Sequence, residues 1–260
     1  MKIGMSSWSL LSLEVTDAIK RIGEAGYDSI ELWGEEPHAY YEAANVQKIR
    51  DALSSFSMEV TAHAPFHDLN IGCTYQDVLE TTARKLSEFV DFARKIGATQ
   101  ITFHPGNTYD SSLTKYALRS SIIVLKRLRE RASNTVHLNI ENQYGDRLGY
   151  NFSLGGKREW IDEMLREVDD LGMTIDTGHA NINNQDPKDM LEQYKNKVRC
   201  VHFNNNRGIA DEHSFPADGT LNMSGFITVA RKMKDLTVTF EVNPFRYKPK
   251  EVLQLRYSLK

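Results

Sequence analysis

Along the chain, short runs of apolar and β-branched residues alternate with longer segments whose apolar positions recur every three or four residues. The short runs are KIGMSSWS, YDSIELWG, MEVTAHAP, TQITFHPG, TVHLNIENQ, MTIDTGHA, VRCVHFNNN and LTVTFEVNP. Each is followed by one helical pattern: VTDAIKRIGEAG, NVQKIRDALSSFS, DVLETTARKLSEFVDFARKIG, the stretch from Leu113 to Arg131, KREWIDEMLREVDDLG, PKDMLEQYKNK, SGFITVARKMK and PKEVLQLRYSLK. Gly26, Gly97 and Gly172 fall just after helical segments, where a left-handed cap favours glycine. Eight strand-helix repeats in series predict an α/β fold, a single (β/α)8 TIM barrel domain spanning 1–260. Right-handed crossovers then place every strand's C-terminal end on one face, which is where this fold carries its chemistry. The connections from Gln143 to Lys157 and from Asn204 to Asn222 are longer than ordinary strand-to-helix loops, and are candidate lids on that face.

Polar residues interrupt the apolar strands at their C-terminal ends. The pattern puts His63 at the end of strand three, His104 of strand four, Glu141 of strand five, Asp176 and His179 of strand six, His202 of strand seven and Glu241 of strand eight. Asp211 and His213 follow on the long loop after strand seven. A carboxylate inside a run such as MTIDTGHA or TVTFEVNP is costly to bury without a partner, and several at one barrel mouth repel one another. No lysine or arginine occupies the neighbouring strand ends. A divalent cation held by Glu141, Asp176, His202 and Glu241 resolves both problems, at the C-terminal face. Imidazole and carboxylate ligands without thiolate suit zinc, manganese, cobalt or iron. For His63, His104, His179, Asp211 and His213, an additional metal ion and hydrogen bonding to substrate are both open readings. His137, early in its strand, and His38, in a loop, read as ordinary hydrogen-bonded histidines, and His67 is left unassigned. Trp8, Trp33, Phe66 and Tyr144 are candidate apolar walls.

Composition narrows the partners. A net charge of -3 and an isoelectric point near 6.3 weigh against a general nucleic-acid-coating surface. No apolar run is long enough to span a membrane and the N-terminal residues lead straight into a strand, so the expected location is cytoplasmic. Cys73 and Cys200 form no CxxC pair, which supports neither a disulfide framework nor a cysteine zinc site. The short final helix suggests contacts in a homo-oligomer.

The motifs HAPF (63 to 66), FHPG (103 to 106), IEN (140 to 142), IDTGHA (175 to 180), VHFNNNRG (201 to 208), DEH (211 to 213) and FEVNP (240 to 244) occur in an order that resembles the xylose isomerase-like TIM barrel superfamily. That group joins sugar phosphate isomerases and epimerases with endonuclease IV, the apurinic/apyrimidinic endonucleases of family 2. By this resemblance, Glu141, Asp176, His202 and Glu241 hold one metal ion. Glu141 and Glu241 are the catalytic pair that removes and returns a proton next to a carbonyl, through an enediolate. His179 and Arg207 match positions that hold substrate oxygens. The implied function is a metal-dependent isomerase or epimerase of a small sugar or related hydroxy-carbonyl compound; a dehydratase is a close neighbour, and an inactive barrel that only binds a small molecule is a third reading.

The alternative is an endonuclease IV-like enzyme with three zinc ions, and only that alternative makes nucleic acid a partner. His63, His104 and Glu141 would hold one ion, the central quartet a second, and His179, Asp211 and His213 the third. HAPFHDLNIG is also similar to the nuclease loop that enters DNA. Against it, MKIGMSSWSLL lacks the opening histidine and glycine pair of the nucleases, and HFNNNRG is nearer to the HLHDNRG pattern of the sugar enzymes. Asn204 stands where that pattern has aspartate.

Overall fold

The computed structural model describes residues 1–39, 41–145 and 152–259. Eight parallel strands close into a barrel: β1 (Lys2–Ser6), β2 (Ser29–Trp33), β3 (Glu59–His63), β4 (Gln100–Phe103), β5 (His137–Glu141), β6 (Gly172–Asp176), β7 (Val198–Phe203) and β8 (Thr237–Phe240). Each strand pairs with its sequence neighbours, and β1 closes the ring against β8 with Ile3 opposite Val238. The outer layer contains α1 (Val15–Glu24), α2 (Ala43–Ser54), α3 (Gln76–Lys95), α4 (Thr114–Ala132), α5 (Arg158–Glu167), α6 (Thr177–Ile182), α7 (Pro187–Gln193), α8 (Met223–Ala230) and α9 (Pro249–Leu253). Among the described residues, no helix is long and apolar enough to cross a membrane.

The apolar core lies between strands and helices. Ile30, Leu32, Ile101, Phe103, Ile140, Ile175, Phe203 and Phe240 are buried with helix residues such as Ile19, Ile22, Leu86, Phe89 and Leu125. Side chains that reach across the inside of the barrel are polar instead. The Thr102 and Thr174 hydroxyls meet at 2.8 Å from strands that are not neighbours, and Asn139 Nδ2 donates to Gln100 Oε1 at 2.8 Å. Branched aliphatic layers usually fill such barrels. Here polar groups do, some of them paired in this way, while Ser6 Oγ, Ser29 Oγ and Asn139 Oδ1 are buried without a hydrogen bond.

Two details differ from the sequence-based expectation. Gly26 and Gly97 adopt positive φ (78° and 81°) after α1 and α3, as expected of helix caps. Gly172 does not: it opens β6, and the left-handed residue after α5 is Asp170, φ 52°. Asp tolerates that conformation better than most residues, and the Asp170 carboxylate is paired with Arg199 at 2.6 Å. The second difference concerns the strand read through IDTGHA. It stops at Asp176, whose Oδ1 accepts the His179 backbone N–H at 2.7 Å and so caps α6. His179 therefore projects from a helix and not from a strand end.

Candidate metal centre and acid/base site

The cap at Asp176 sets the geometry of the site. Its Oδ1 is used by α6, and its Oδ2 accepts from Asn204 Nδ2 at 2.7 Å. Register places Asp176 beside His202 on β7, and His202 lies opposite Thr239 on β8, two residues before Glu241. Glu141, at the end of β5, lies near both: its Oε1 is 3.1 Å from His202 Nδ1 and 3.4 Å from His179 Nδ1. Glu241 Oε2 is 3.3 Å from the same His202 nitrogen. The structure thus brings the four expected residues together, and all four are buried.

The other five predicted residues join them. Glu141 Oε2 lies 3.5 Å from His63 Nε2 and 3.2 Å from His104 Nε2. Asp211 Oδ2 lies 3.3 Å from His179 Nε2 and 3.1 Å from His213 Nε2. Arg207 does not join. It is exposed, and its backbone N–H donates to Glu212 Oε2. The two histidines read as ordinary are so: His38 is buried between Ser7 Oγ and Leu13 O, and His137 is exposed beside Asp170. His67 lines the mouth and contacts Glu35.

The electrostatics follow from this crowding. Burial disfavours a charged His202, but Glu241, Glu31 and Glu141 outweigh it and hold the imidazolium well above the usual range. His179 is raised likewise against burial, by Asp176, Asp211 and Glu141. His213 is pushed up to about 10, Asp211 and Glu241 overcoming burial. His104 goes the other way, to about 4, because burial there exceeds the attraction of Glu141. The two glutamates also diverge. Burial pushes Glu141 up, yet His202, His104 and His179 bring it well below the ordinary carboxylate value. At Glu241 burial prevails over His202, His213 and His63, and its carboxyl is raised.

Above these groups opens a chamber of about 320 Å³, walled by Trp8, Trp33, Phe66 and Tyr144 and floored by His63, His104, Glu141, His179, Asp211, His213 and Glu241. A second cavity of about 410 Å³ shares Phe66, His104, Gln143 and Tyr144 with it. All four candidate aromatic walls are therefore in place. Of the two loops expected to act as lids, the first includes residues 146–151, which lie outside the described residues. The second is anchored by Asn204, Asn205 and Asn206, which are fully buried. Asn205 Nδ2 donates to Pro216 O and Leu221 O, and Asn206 Nδ2 to Gly178 O, while Asn206 Oδ1 accepts from Gly208 N.

The sequence reading missed Glu31. It is buried on β2, with its oxygens 3.1 and 3.2 Å from His202 Nε2. The signal was present: SIELW is an apolar strand interrupted by one carboxylate, the same anomaly that singled out Asp176 and Glu241.

The ligand geometry on this barrel is joined by a sequence match over residues 19–257 to the model of the xylose isomerase-like TIM barrel. The chain belongs to that family. It is similar to the fructoselysine 3-epimerase of Shigella flexneri, 20% identical over 239 residues, covering 85% of this chain and 82% of that one. It is also similar to a probable endonuclease 4 of Thermoplasma acidophilum, 23% identical over 216 residues, covering 76% and 71%. Among solved structures, a D-tagatose 3-epimerase-like protein superposes with a TM-score of 0.88 at 24% identity, over 100% of this chain and 96% of that one.

Proposed function

We propose that this family member is a divalent-metal-dependent isomerase or epimerase of a small sugar or related hydroxy-carbonyl compound. One observation carries the reading: Glu141 and Glu241 converge on Nδ1 of His202, and both open into a chamber whose described lining contains no lysine or arginine. The donor set fits a dication. Asp176, His202 and Glu241 offer atoms within 4.8 Å of one another, as do His63, Glu141 and His202, and Glu141 Oε2 is buried without a hydrogen bond. Nitrogen and carboxylate donors of this kind suit zinc, manganese, cobalt or iron. Such an ion would be held by Glu141, Asp176, His202 and Glu241, and would polarise the carbonyl and hydroxyl oxygens of the substrate.

The protein's own groups then divide the proton work. Glu141, held ionised by three imidazoles, is suited to take a proton from the carbon next to the carbonyl. Glu241, whose proton affinity is raised by burial, is suited to return one to that carbon. Two carboxyls whose environments push their proton affinities apart are the usual mark of an acid/base pair. His179 and His213 turn their Nε2 atoms to Asp211 and so hold its carboxylate at the chamber's edge, and the aromatic walls exclude water. The similarity to fructoselysine and tagatose-type 3-epimerases supports the same reading.

Incubation of the metal-loaded protein with a panel of ketoses in deuterated water is expected to exchange one carbon-bound proton, and Glu141→Gln and Glu241→Gln each to slow that exchange by about 10²–10⁴-fold. No exchange with any ketose would overturn the reading.

One observation favours a phosphodiesterase instead: His63 and His104 flank Glu141 on one side while His179, Asp211 and His213 cluster on the other, giving three adjacent donor groups. The similarity to endonuclease 4 points the same way. Duplex recognition draws on lysine and arginine contacts to phosphate, which neither described cavity lining provides. Elemental analysis with an abasic-site oligonucleotide separates the two, since three metal ions per chain together with strand cleavage would favour the nuclease.

A further inference from the structure

Glu31 has no role in the scheme above, yet a fully buried carboxylate is expensive and needs a compensating function. It extends from β2 across the barrel to β7. Its Oε1 and Oε2 lie 3.1 and 3.2 Å from Nε2 of His202, and Oε2 has hydrogen-bond geometry to it. The other nitrogen of the same ring, Nδ1, faces Glu141 and Glu241. His202 is thus clamped along its long axis, with a carboxylate behind it and the proposed cation site in front. Neutral imidazole carries one ring proton. If that proton sat on Nδ1, the Nε2 lone pair would confront the Glu31 carboxylate at 3.1 Å, acceptor against acceptor. If it sits on Nε2, Glu31 accepts it and Nδ1 is free to donate its lone pair to a metal ion.

We infer that Glu31 is a positioning residue: by accepting the Nε2 proton of His202 it selects the tautomer whose Nδ1 can coordinate a cation between Glu141, Asp176 and Glu241. The inference rests on the metal-dependent reading proposed above. A carboxylate behind a ligating imidazole raises its basicity and fixes its orientation, and loss of such a partner weakens metal binding by about 10–100-fold. Cys200 is the other potential donor near Glu31 and His202. Its sulfur lies 3.8 Å from Thr239 Oγ1, and a cation held with Glu31 and Cys200 would occupy Nε2 of His202 instead of Nδ1, which the ring nitrogen bound by zinc distinguishes.

The inference separates affinity from stability. Neutralising one partner of a buried ion pair destabilises a fold, so a merely structural Glu31 would show in the melting temperature alone and leave metal affinity unchanged. The test is titration of wild type and Glu31→Gln with Co²⁺ and Zn²⁺ against a chromophoric chelator, with thermal melts of both metal-free proteins. It is joined by ¹⁵N NMR of the histidine rings in the zinc-loaded wild type. Expected are a lower melting temperature for metal-free Glu31→Gln, metal affinity weaker by about 10–100-fold in the same variant, and a zinc-loaded His202 protonated at Nε2. Equal affinities in the two proteins, or coordination of His202 through Nε2, would overturn the role of Glu31 while leaving the metal-dependent reading intact. Failure of the wild type to bind either ion would overturn both. Should Glu31→Gln not fold, the wild-type NMR spectrum decides the question alone.

Discussion

His202 concentrates the chemistry of the molecule in one ring. With no cation present, its proton is held well above the ordinary histidine range by Glu241, Glu31 and Glu141, against the opposing effect of burial. Proton and cation therefore compete for Nδ1. Lowering the pH favours the proton, so the apparent metal affinity should fall by roughly tenfold per pH unit for each proton displaced. Because the imidazolium persists above the usual range, the slope should continue above pH 7, where an unperturbed histidine would already have levelled off. Chelator competition between pH 6 and 9 measures this, and a flat profile above pH 7 would contradict the raised proton affinity. At this scale the sequence was informative wherever a charged residue broke an apolar strand. It was uninformative about Arg207, because a motif position does not reveal which way a loop side chain turns, and here it turns to solvent.

At the level of elements, the length of the segment after β7 makes it a candidate lid in the sequence. Its asparagines face inward instead. Each buried amide finds partners on α6 or within the loop itself, and Asn204 reaches back to Asp176. Glycine makes this approach feasible: a Cβ on Gly178 would lie 2.1 Å from Asn204 Oδ1 and 2.9 Å from Asn206 Nδ2. Gly178→Ala is therefore expected to destabilise the fold by about 1–3 kcal/mol, and to weaken metal binding through Asp176. Gly97→Ala is the control. A Cβ there meets nothing within 4 Å, so only the left-handed backbone is penalised, by about 1–2 kcal/mol, with metal binding unchanged. Denaturant midpoints and metal titrations of both variants check the contrast. The strand-helix alternation was readable because periodicity records which face is buried. The helix at Thr177 was not, because a six-residue turn fixed by one capping carboxylate leaves almost no periodic trace.

For the molecule as a whole, the polar interior of the barrel and the carboxylates at its mouth have a thermodynamic consequence. Repulsion among Glu31, Glu141, Asp176 and Glu241 is relieved only in part by the histidines, and a dication that binds the folded chain alone relieves it further. Saturation at about 100 times the dissociation constant adds about 2.7 kcal/mol, which for a chain of this size corresponds to a rise in Tm of roughly 5 °C or more. Melts in zinc or manganese against melts in chelator measure it, and identical transitions would argue against a cation at the quartet. The closed ring itself followed from eight repeats in the sequence, since each strand pairs with the next. The link across the barrel from Glu31 to His202 joins residues 171 positions apart, and no local pattern encodes such a distance.

Two indoles stand against the site histidines, Trp8 with its ring centroid 4.9 Å from that of His213 and Trp33 5.0 Å from that of His63. Protonated imidazole quenches indole emission more strongly than neutral imidazole, and a dication held by the neighbouring quartet would disfavour the charged form of both rings. The protein accordingly contains its own optical gauge of occupancy, one that brightens when a ligand displaces protons from the cluster and that needs neither dye nor label.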